Sequence, residues 1–313
     1  MPETVAHSLQ GRSLVSIQDF NRAEIEKVLA TAHALGDGRS RQLQGSQVAL
    51  LFYEASTRTR NSFLTAVHHL GANECGFSSG EGSSVSKGES LADTIKMFAS
   101  YCEAIVLRHP RDGSARWAAD VSKVPVINAG DGKNQHPTQT LLDLFAIQNT
   151  QGRLQSLSVG MMGDLKFGRT VHSLADALSL YPGNQLHLIS PPSLAMPEPY
   201  LRAWRERGLE IRVHHRIEDV VPQVDILYCT RIQRERLPDD SEYEKVRGLY
   251  RLTAPHLKDA RQNLRVLHPL PRVDEIHVDV DETPYAFYFE QAAGGVPVRK
   301  ALLWHLLGLG EAA

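Results

Sequence analysis

The sequence has few cysteines and no grouping of them that points to metal chemistry. Only three occur among its 313 residues, Cys75, Cys102 and Cys229, and they lie far apart, with no CxxC pair and no nearby cluster of histidines. A structural zinc site needs closely spaced cysteine and histidine ligands, so this spacing gives no zinc pattern. Three unpaired cysteines favour a reducing compartment.

An excess of either charge is also missing, as is any long apolar run. Lys and Arg total 34 against 36 Asp and Glu, a net charge of −2, so no overall basic field is available to bind nucleic acid or an anionic membrane. No stretch approaches the ~18 apolar residues of a membrane-spanning helix, and the first residues lack the apolar core of a signal peptide. We therefore expect a cytoplasmic protein without nucleic-acid or membrane partners, in which local clusters bind any anion.

What the sequence does contain is the pattern of a globular α/β protein. At about 150 residues per domain, 313 residues predict roughly two domains. Short apolar runs read as buried strands, and segments of helical period lie between several of them. The predicted strands begin near Val48, Ala104, Val124, Leu157, Leu186, Leu209, Asp225 and Leu264, and the predicted helices include those around Phe63, Leu91 and Val171.

This alternation predicts two doubly wound parallel-sheet domains with a cleft between them. A polar linker around Gly152 divides the chain into a first domain, 1–152, and a second, 153–290. The last segment, 291–313, is apolar on more than one face, so we expect a helix that packs back toward the first domain. In such sheets ligands bind beside the carboxyl ends of the strands.

The segment FYEASTRTR, residues 52–60, follows the first predicted strand and resembles a phosphate cradle. Ser56 can cap a helix whose first turn holds Thr57, Arg58 and Thr59, and free N–H groups, hydroxyls and a guanidinium there favour an anion. The structural alternative is a capped helix with solvent-facing arginines.

Three further clusters in the first half of the chain are each weak alone. SSVSKGES, residues 83–90, is a Gly/Ser loop whose only cation is Lys87, and Arg108 ends the run AIVLR. A flexible connector and a solvated arginine are the plain alternatives. In HPTQ, Pro137 at a helix start leaves His136 and Gln139 near the helix N-terminus, where a neutral imidazole can donate to a carbonyl oxygen, although histidines also cap or pack.

The second half places cations after two predicted strands. GDLKFGRT contributes Arg169, and TRIQRER contributes Arg231, Gln233 and Arg236, a set that can clamp a carboxylate unless it is only a solvated loop. HPLPR, residues 268–272, leaves backbone carbonyls free to accept from a ligand amide. Glu54 is the one acid among these cations, and we expect it to pair with Arg169 or Arg236 across the cleft.

Taken in order, seven motifs resemble those of the aspartate/ornithine carbamoyltransferases over nearly the whole chain. They are FYEASTRTR, SSVSKGE, LRHP, HPTQ, GDLKFGRT, TRIQRER and HPLPRVDEI. Glu54, Thr138 and Leu270 resemble the aspartate branch, because the ornithine enzymes carry lysine, cysteine and cysteine at these places. The resemblance implies transfer of a carbamoyl group from carbamoyl phosphate to the α-amine of L-aspartate, a step of pyrimidine biosynthesis.

The resemblance also implies a role for each motif residue. For carbamoyl phosphate the set is Ser56, Thr57, Arg58, Thr59, Ser83, Lys87, Arg108, His136, Gln139 and Leu270. Within it Thr59, Arg108, His136 and Lys87 would act in catalysis, and Ser83 and Lys87 would come from a neighbouring subunit. For aspartate the set is Lys87, Arg169, Arg231 and Gln233. No metal or organic cofactor is implied.

Several alternatives stay open from the sequence. The chain can be a carbamoyltransferase with another amine acceptor, or a non-catalytic subunit of the same fold. A nucleotide-binding dehydrogenase also has this fold class, but no GxGxxG follows a strand. The family implies a homotrimer, and partner chains of a regulatory or dihydroorotase type are left undecided.

Overall fold

The computed structural model describes residues 7–80, 84–232 and 250–309, which form two compact units. The first unit comprises Met1–Leu142 and Gly294–Ala313, and the second comprises Asp143–Ala293. The division falls inside a helix, earlier than the linker predicted around Gly152. The predicted domain boundaries stay predictions.

The first unit is built on a four-stranded parallel sheet in the order β2-β1-β3-β4. Its strands are β1 (Gln47–Phe52), β2 (Asn73–Phe77), β3 (Ala104–His109) and β4 (Val126–Asp131). Its helices are α1 (Arg22–Leu35), α2 (Thr57–His69), α3 (Leu91–Phe98), α4 (Ser114–Val121) and the start of α5 (Pro137–Gln151).

The second unit is built on a five-stranded parallel sheet in the order β7-β6-β5-β8-β9. Its strands are β5 (Ser158–Met162), β6 (Gln185–Ile189), β7 (Glu210–His214), β8 (Ile226–Cys229) and β9 (Arg265–Leu267). Its helices are the rest of α5, α6 (Arg169–Leu178), α7 (Glu198–Glu206) and α8 (Tyr288–Ala293).

Burial explains why the apolar runs are strands. Residues 48–52 of β1 are fully buried, as are residues 104–107 of β3, because helices cover both faces of a parallel sheet. All eight strands expected from apolar runs are present. The sequence analysis missed β2, an edge strand of sequence NECGF that is only partly buried and therefore carries no apolar run.

The last helix, α9 (Gly295–Leu306), belongs to the first unit and packs on α1 and α2. Its buried residues lie on all sides, among them Val298, Leu302 and Leu303. Lys300 is also buried, and its Nζ donates to the carbonyl oxygens of Leu35, at 3.2 Å, and Gly36, at 2.9 Å. A lysine therefore satisfies carbonyl groups at the end of α1 that the helix itself cannot pair.

In each sheet the order in which strands are added reverses next to the first strand. From β1 the chain moves outward to β2 and then returns to the other side at β3, and β5, β6, β7 and β8 repeat this course. At such a reversal the loops after two neighbouring strands separate and leave a crevice at the strands' carboxyl ends. The crevice of each unit is thus the place to look for a ligand.

Candidate active site

The turn after β1 presents the start of α2 at the crevice of the first unit. Ser56 occupies the N-cap position with extended backbone, as predicted, but its side chain makes no capping hydrogen bond. The capping role expected for its hydroxyl is therefore not seen. Thr59 is buried, whereas Thr57 and Arg58 are exposed. The first N–H groups of a helix have no partner inside it, so this turn suits an anion.

Arg108 lies beside this turn because its strand pairs with β1. In the register of the sheet Phe52 faces Arg108. The guanidinium is held from two sides: Nε donates to Glu54 Oε1 at 2.5 Å, and Nη1 donates to the carbonyl oxygen of Ala129 at 3.1 Å. The ion pair orients the planar fork, whose other N–H donors suit a phosphate.

The Glu54–Arg108 pair was not expected from the sequence. The sequence predicts instead that Glu54 pairs with Arg169 or Arg236. Arg236 lies outside the described residues, and Arg169 belongs to the other unit, so that pairing stays a prediction. Within the first unit the partner of Glu54 is Arg108.

His136 lies in the turn between β4 and α5, and Gln139 lies in the first turn of α5; both are buried. Pro137 is the first residue of α5, as predicted, and the carbonyl oxygen of His136 accepts from the N–H of Gln139 at 2.9 Å. Thr138 Oγ1 lies 3.4 Å from His136 Nδ1. With the hydroxyl donating to Nδ1, the ring proton resides on Nε2, where it can be donated to a substrate oxygen.

Asp131 holds this turn, and the sequence analysis missed it. The side chain is buried, and its oxygens accept from the N–H groups of Gly113, at 3.0 Å, and Gln135, at 3.1 Å, and from the amides of Asn128, at 2.8 Å, and Asn134, at 3.0 Å. An aspartate followed by Gly-Lys-Asn-Gln is a turn signal that could have identified it. Asp131 thereby fixes the backbone of the turn that precedes His136.

The Gly/Ser segment is described only in part. Ser83 lies outside the described residues, while residues 84–87 form a 3-10 turn that ends in the exposed Lys87. This turn contacts α3. Helix α3 is capped by Ser90, whose Oγ accepts from the N–H of Asp93 at 3.2 Å.

In the second unit Arg169 and Arg231 follow neighbouring strands. Arg169 is the first residue of α6, after β5, and Arg231 follows β8. The two loops approach closely at Gly163, which has φ +114 and where a Cβ would overlap the carbonyl group of Thr230. Glycine is required there, and the contact brings the loops of the two arginines side by side. Gln233 lies outside the described residues.

Leu270 lies in the loop after β9, at the same edge of the second sheet. Its backbone is in the left-handed region, with φ +51, and the Leu270–Pro271 peptide bond is cis. Its N–H donates to Nδ1 of the buried His268 at 2.7 Å. The loop conformation is thus held by a side chain of the same loop.

The predicted site residues therefore fall at strand carboxyl ends in both units. Ser56–Thr59 and His136 follow β1 and β4, Arg108 is the last residue but one of β3, and Arg169, Arg231 and Leu270 follow β5, β8 and β9. Within the described ranges no three His, Cys, Asp or Glu side chains are arranged to hold a metal ion. No described helix has the length and apolar character needed to span a bilayer. That the reaction needs no metal or cofactor stays a prediction.

Comparison with known families gives matches in both units. Residues 12–149 match the family described as aspartate/ornithine carbamoyltransferase, carbamoyl-P binding domain, and residues 155–306 match its Asp/Orn binding domain. The aspartate carbamoyltransferase catalytic subunit of Chromobacterium violaceum is 55% identical over 293 residues, 93% of this chain and 96% of that protein. The corresponding subunit of Thermococcus onnurineus is 52% identical over 307 residues, 96% and 99% of the two chains.

Solved structures agree with the sequence matches. The catalytic subunit of M. jannaschii aspartate transcarbamoylase superposes with a TM-score of 0.90 at 43% identity, over 96% of this chain and 100% of that one. The Trypanosoma cruzi aspartate transcarbamoylase in complex with carbamoyl phosphate and aspartate superposes with a TM-score of 0.91 at 36% identity, over 97% and 99%.

Proposed function

Because this chain belongs to the aspartate/ornithine carbamoyltransferase family, we propose which of its residues carry out the reaction. The reaction transfers the carbamoyl group of carbamoyl phosphate to the α-amine of L-aspartate and gives N-carbamoyl-L-aspartate and phosphate. The observation that carries this assignment is the 52–55% identity to aspartate carbamoyltransferase catalytic subunits across both units.

The phosphate of carbamoyl phosphate binds at the start of α2. Ser56, Thr57, Arg58 and Thr59 supply hydroxyl, N–H and guanidinium donors, and Arg108 adds a planar fork. In support, the Ser56 hydroxyl makes no capping bond and Glu54 already orients Arg108. Ser83 and Lys87 complete this set.

The carbamoyl group is held by a second set of donors and acceptors. Thr59, Arg108 and His136 donate to its oxygen, while Gln139 and the backbone carbonyl at Leu270 accept from its amino group. His136 suits this role because a neutral ring with its proton on Nε2 can donate a hydrogen bond to the oxygen.

The two carboxylates of aspartate are bound by Lys87, Arg169, Arg231 and Gln233. The close approach of the loops after β5 and β8 supports this pairing of Arg169 with Arg231. Guanidinium groups bind carboxylates in a bidentate manner, which fixes the direction of the α-amine. The contact to the side-chain carboxylate distinguishes aspartate from acceptors that lack this group.

Catalysis follows from these positions. The α-amine attacks the carbamoyl carbon, a tetrahedral oxyanion forms, and the C–O bond to phosphate then breaks. Fixed donors stabilise the oxyanion, and the leaving phosphate takes up the proton that the amine loses. Holding both substrates in contact supplies a large share of the rate.

Two features concern the assembly and the location of the protein. Lys87 is an exposed cation on a short turn, which supports a homotrimer in which Ser83 and Lys87 serve the site of a neighbour. Cys75, Cys102 and Cys229 are free thiols, which supports a reducing, cytoplasmic location.

The direct test is product formation by the purified chain. Carbamoyl phosphate is supplied with either L-aspartate or L-ornithine, and the carbamoylated amino acid is quantified. A carbamoylated product that forms with aspartate and not with ornithine supports the assignment. Product from ornithine alone would overturn the acceptor, and a folded chain that binds carbamoyl phosphate without turnover would favour a non-catalytic subunit or a missing partner.

A further inference from the structure

A buried histidine–glutamate pair lies directly beneath Leu270. His268 is 1% exposed and Glu275 is 9% exposed, and His268 Nε2 lies 2.6 Å from Glu275 Oε1. Both residues belong to the loop that follows β9. The reaction scheme above gives neither of them a chemical step.

The hydrogen bonds fix the protonation of the ring. The N–H of Leu270 donates to Nδ1 at 2.7 Å, so Nδ1 carries a lone pair and the proton lies on Nε2, which donates to Glu275. Burial lowers the pKa of His268, and this favours the neutral ring. Burial is the largest single influence on Glu275 and would raise its pKa, but the interactions with His268 and with backbone N–H groups of the loop together outweigh it and lower that pKa.

Glu275 also gathers the far side of the loop. Its second oxygen, Oε2, accepts from the N–H of Val273 at 3.2 Å and of Asp274 at 3.1 Å. One carboxylate therefore joins the ring of His268 to the backbone after Pro271. Leu270 lies between these two attachments.

The pair is anchored at its other end in the core of the second unit. The N–H of His268 donates to Gln291 Oε1 at 2.7 Å, and Gln291 Nε2 donates to Asp143 Oδ1 at 2.6 Å. Tyr228 donates its hydroxyl to the other oxygen of Asp143 at 2.8 Å. All of these residues are buried, so the chain of bonds ties the loop to α5, α8 and β8.

This arrangement accounts for the backbone of Leu270. A leucine in the left-handed region costs on the order of 1 kcal/mol and persists only where its surroundings hold it. The bond from its N–H to His268 fixes the peptide before it, and the bonds of Glu275 fix the peptides that precede Val273 and Asp274. The directions of the neighbouring carbonyl groups are set in consequence.

We propose that His268 and Glu275 are positioning residues that aim the backbone carbonyl at Leu270 toward the amino group of carbamoyl phosphate. The inference rests on the proposed binding of that amino group at Leu270. The pair contributes recognition of the amide, and it takes no proton from the substrate, since both ring nitrogens and both carboxylate oxygens are engaged within the loop.

Two substitutions of His268 separate its two bonds. In His268→Asn the amide oxygen can take the place of Nδ1 and still accept from Leu270, but the bond to Glu275 is lost. In His268→Gln the longer side chain can reach Glu275, but the acceptor for Leu270 is lost. If positioning acts through the N–H of Leu270, His268→Gln has the larger effect.

The readout is the binding of two phosphates that differ at one group. Acetyl phosphate carries a methyl group where carbamoyl phosphate carries the amino group, so it cannot donate to the carbonyl at Leu270. We expect His268→Gln to weaken carbamoyl phosphate about tenfold, the size of one net hydrogen bond, with less than about twofold change for acetyl phosphate. Equal weakening of both ligands, or of neither, would overturn the proposal.

Two further variants complete the test. Glu275→Gln keeps the shape of the side chain but turns an NH₂ group toward the N–H of Val273 or toward His268. We therefore expect the same selective loss of carbamoyl phosphate binding, and this variant keeps the test available if the His268 variants do not fold. His187→Gln replaces another buried histidine, in β6, and should leave the preference for carbamoyl phosphate unchanged. A Glu275→Gln protein with an unchanged preference contradicts the proposal.

The unsubstituted chain separates this inference from the proposed function. If it neither prefers carbamoyl phosphate over acetyl phosphate nor forms carbamoyl-aspartate, the proposed function fails. If it does both, and the variants keep the preference, only the role of His268 and Glu275 fails.

Discussion

His136 shows how a single residue is prepared for its chemistry by its local backbone. The ring is buried in the turn that leads into the N-terminus of α5. Thr138 Oγ1 lies 3.4 Å from Nδ1, and when its hydroxyl donates to Nδ1 the ring proton lies on Nε2. In the proposed role, His136 donates to the carbamoyl oxygen and stabilises charge that appears only in the transition state.

We therefore expect His136→Ala to lower kcat more than it weakens the binding of carbamoyl phosphate. The loss of one oxyanion donor predicts a decrease in kcat of about 10²–10³-fold. Steady-state kinetics, with a separate titration of carbamoyl phosphate, measure the two effects. The exposed His68, at the far end of α2, provides the control His68→Ala. A defect confined to binding would contradict the role of His136.

His187 illustrates a buried histidine with a structural role. Its Nε2 lies 3.0 Å from Ser158 Oγ and its Nδ1 lies 3.0 Å from His214 Nε2. Burial, with smaller contributions from His214 and Arg212, lowers the pKa of His187 to about 4 from its ordinary 6.5. The unfolded chain therefore binds a proton between these two values that the folded chain does not.

The free energy of unfolding should accordingly decrease as the pH falls from 6.5 toward 4, by about 1.4 kcal/mol per pH unit from this residue. Above pH 6.5 His187 is neutral in both the folded and the unfolded chain, so it causes no loss of unfolding free energy there. In His187→Gln the decrease should be shallower by that amount. Denaturant unfolding at a series of pH values compares the two proteins, and identical slopes would exclude this role.

At the scale of elements, β4 is adapted to Arg108, near the carboxyl end of β3. Gly130 has φ +113, and a Cβ there would overlap Arg108 Nη1, which donates to the adjacent carbonyl oxygen of Ala129. The strand therefore leaves space for the guanidinium. On its other side Glu54, from the turn after β1, holds Nε.

Gly130→Ala should displace the side chain of Arg108 without unfolding the sheet. A displacement of about 1 Å at a binding group predicts a loss of kcat/KM on the order of 100-fold. Gly45→Ala is the matched control, because Gly45 also has a positive φ, of +92, but nothing lies within 4 Å of its Cβ position. Both variants should lose stability, by about 1 kcal/mol. Equal activity in the two variants would contradict the need for space at Gly130 for the Arg108 side chain.

At the scale of the whole molecule, the proposed homotrimer makes each site depend on a neighbour. Lys87 is the only cation of its loop, and it is exposed in the single chain.

Lys87→Ala should abolish most activity while the trimer stays intact, as checked by light scattering. If sites are shared, a trimer reassembled from Lys87→Ala and His136→Ala chains contains some sites with both groups present. Such mixtures should regain activity that neither parent has. Mixtures as inactive as their parents would show that each chain supplies its own Lys87.

The amino-acid sequence alone determined the elements and the chemical types at the site. Apolar runs such as VALLF become strands because burial on both faces needs an unbroken apolar sequence, and Pro137 begins α5 because its ring suits a first helical position. The edge strand β2 escaped prediction because its solvent-facing residues are polar.

Tertiary structure alone decided which residues hold the site residues in place. Glu54 and Arg108 are 54 residues apart, and they meet only because β1 and β3 are neighbours in the sheet. The link from His268 through Gln291 to Asp143 likewise joins distant segments. Local propensity contains no information on such partners, since the order of the strands and the packing of the helices bring them together.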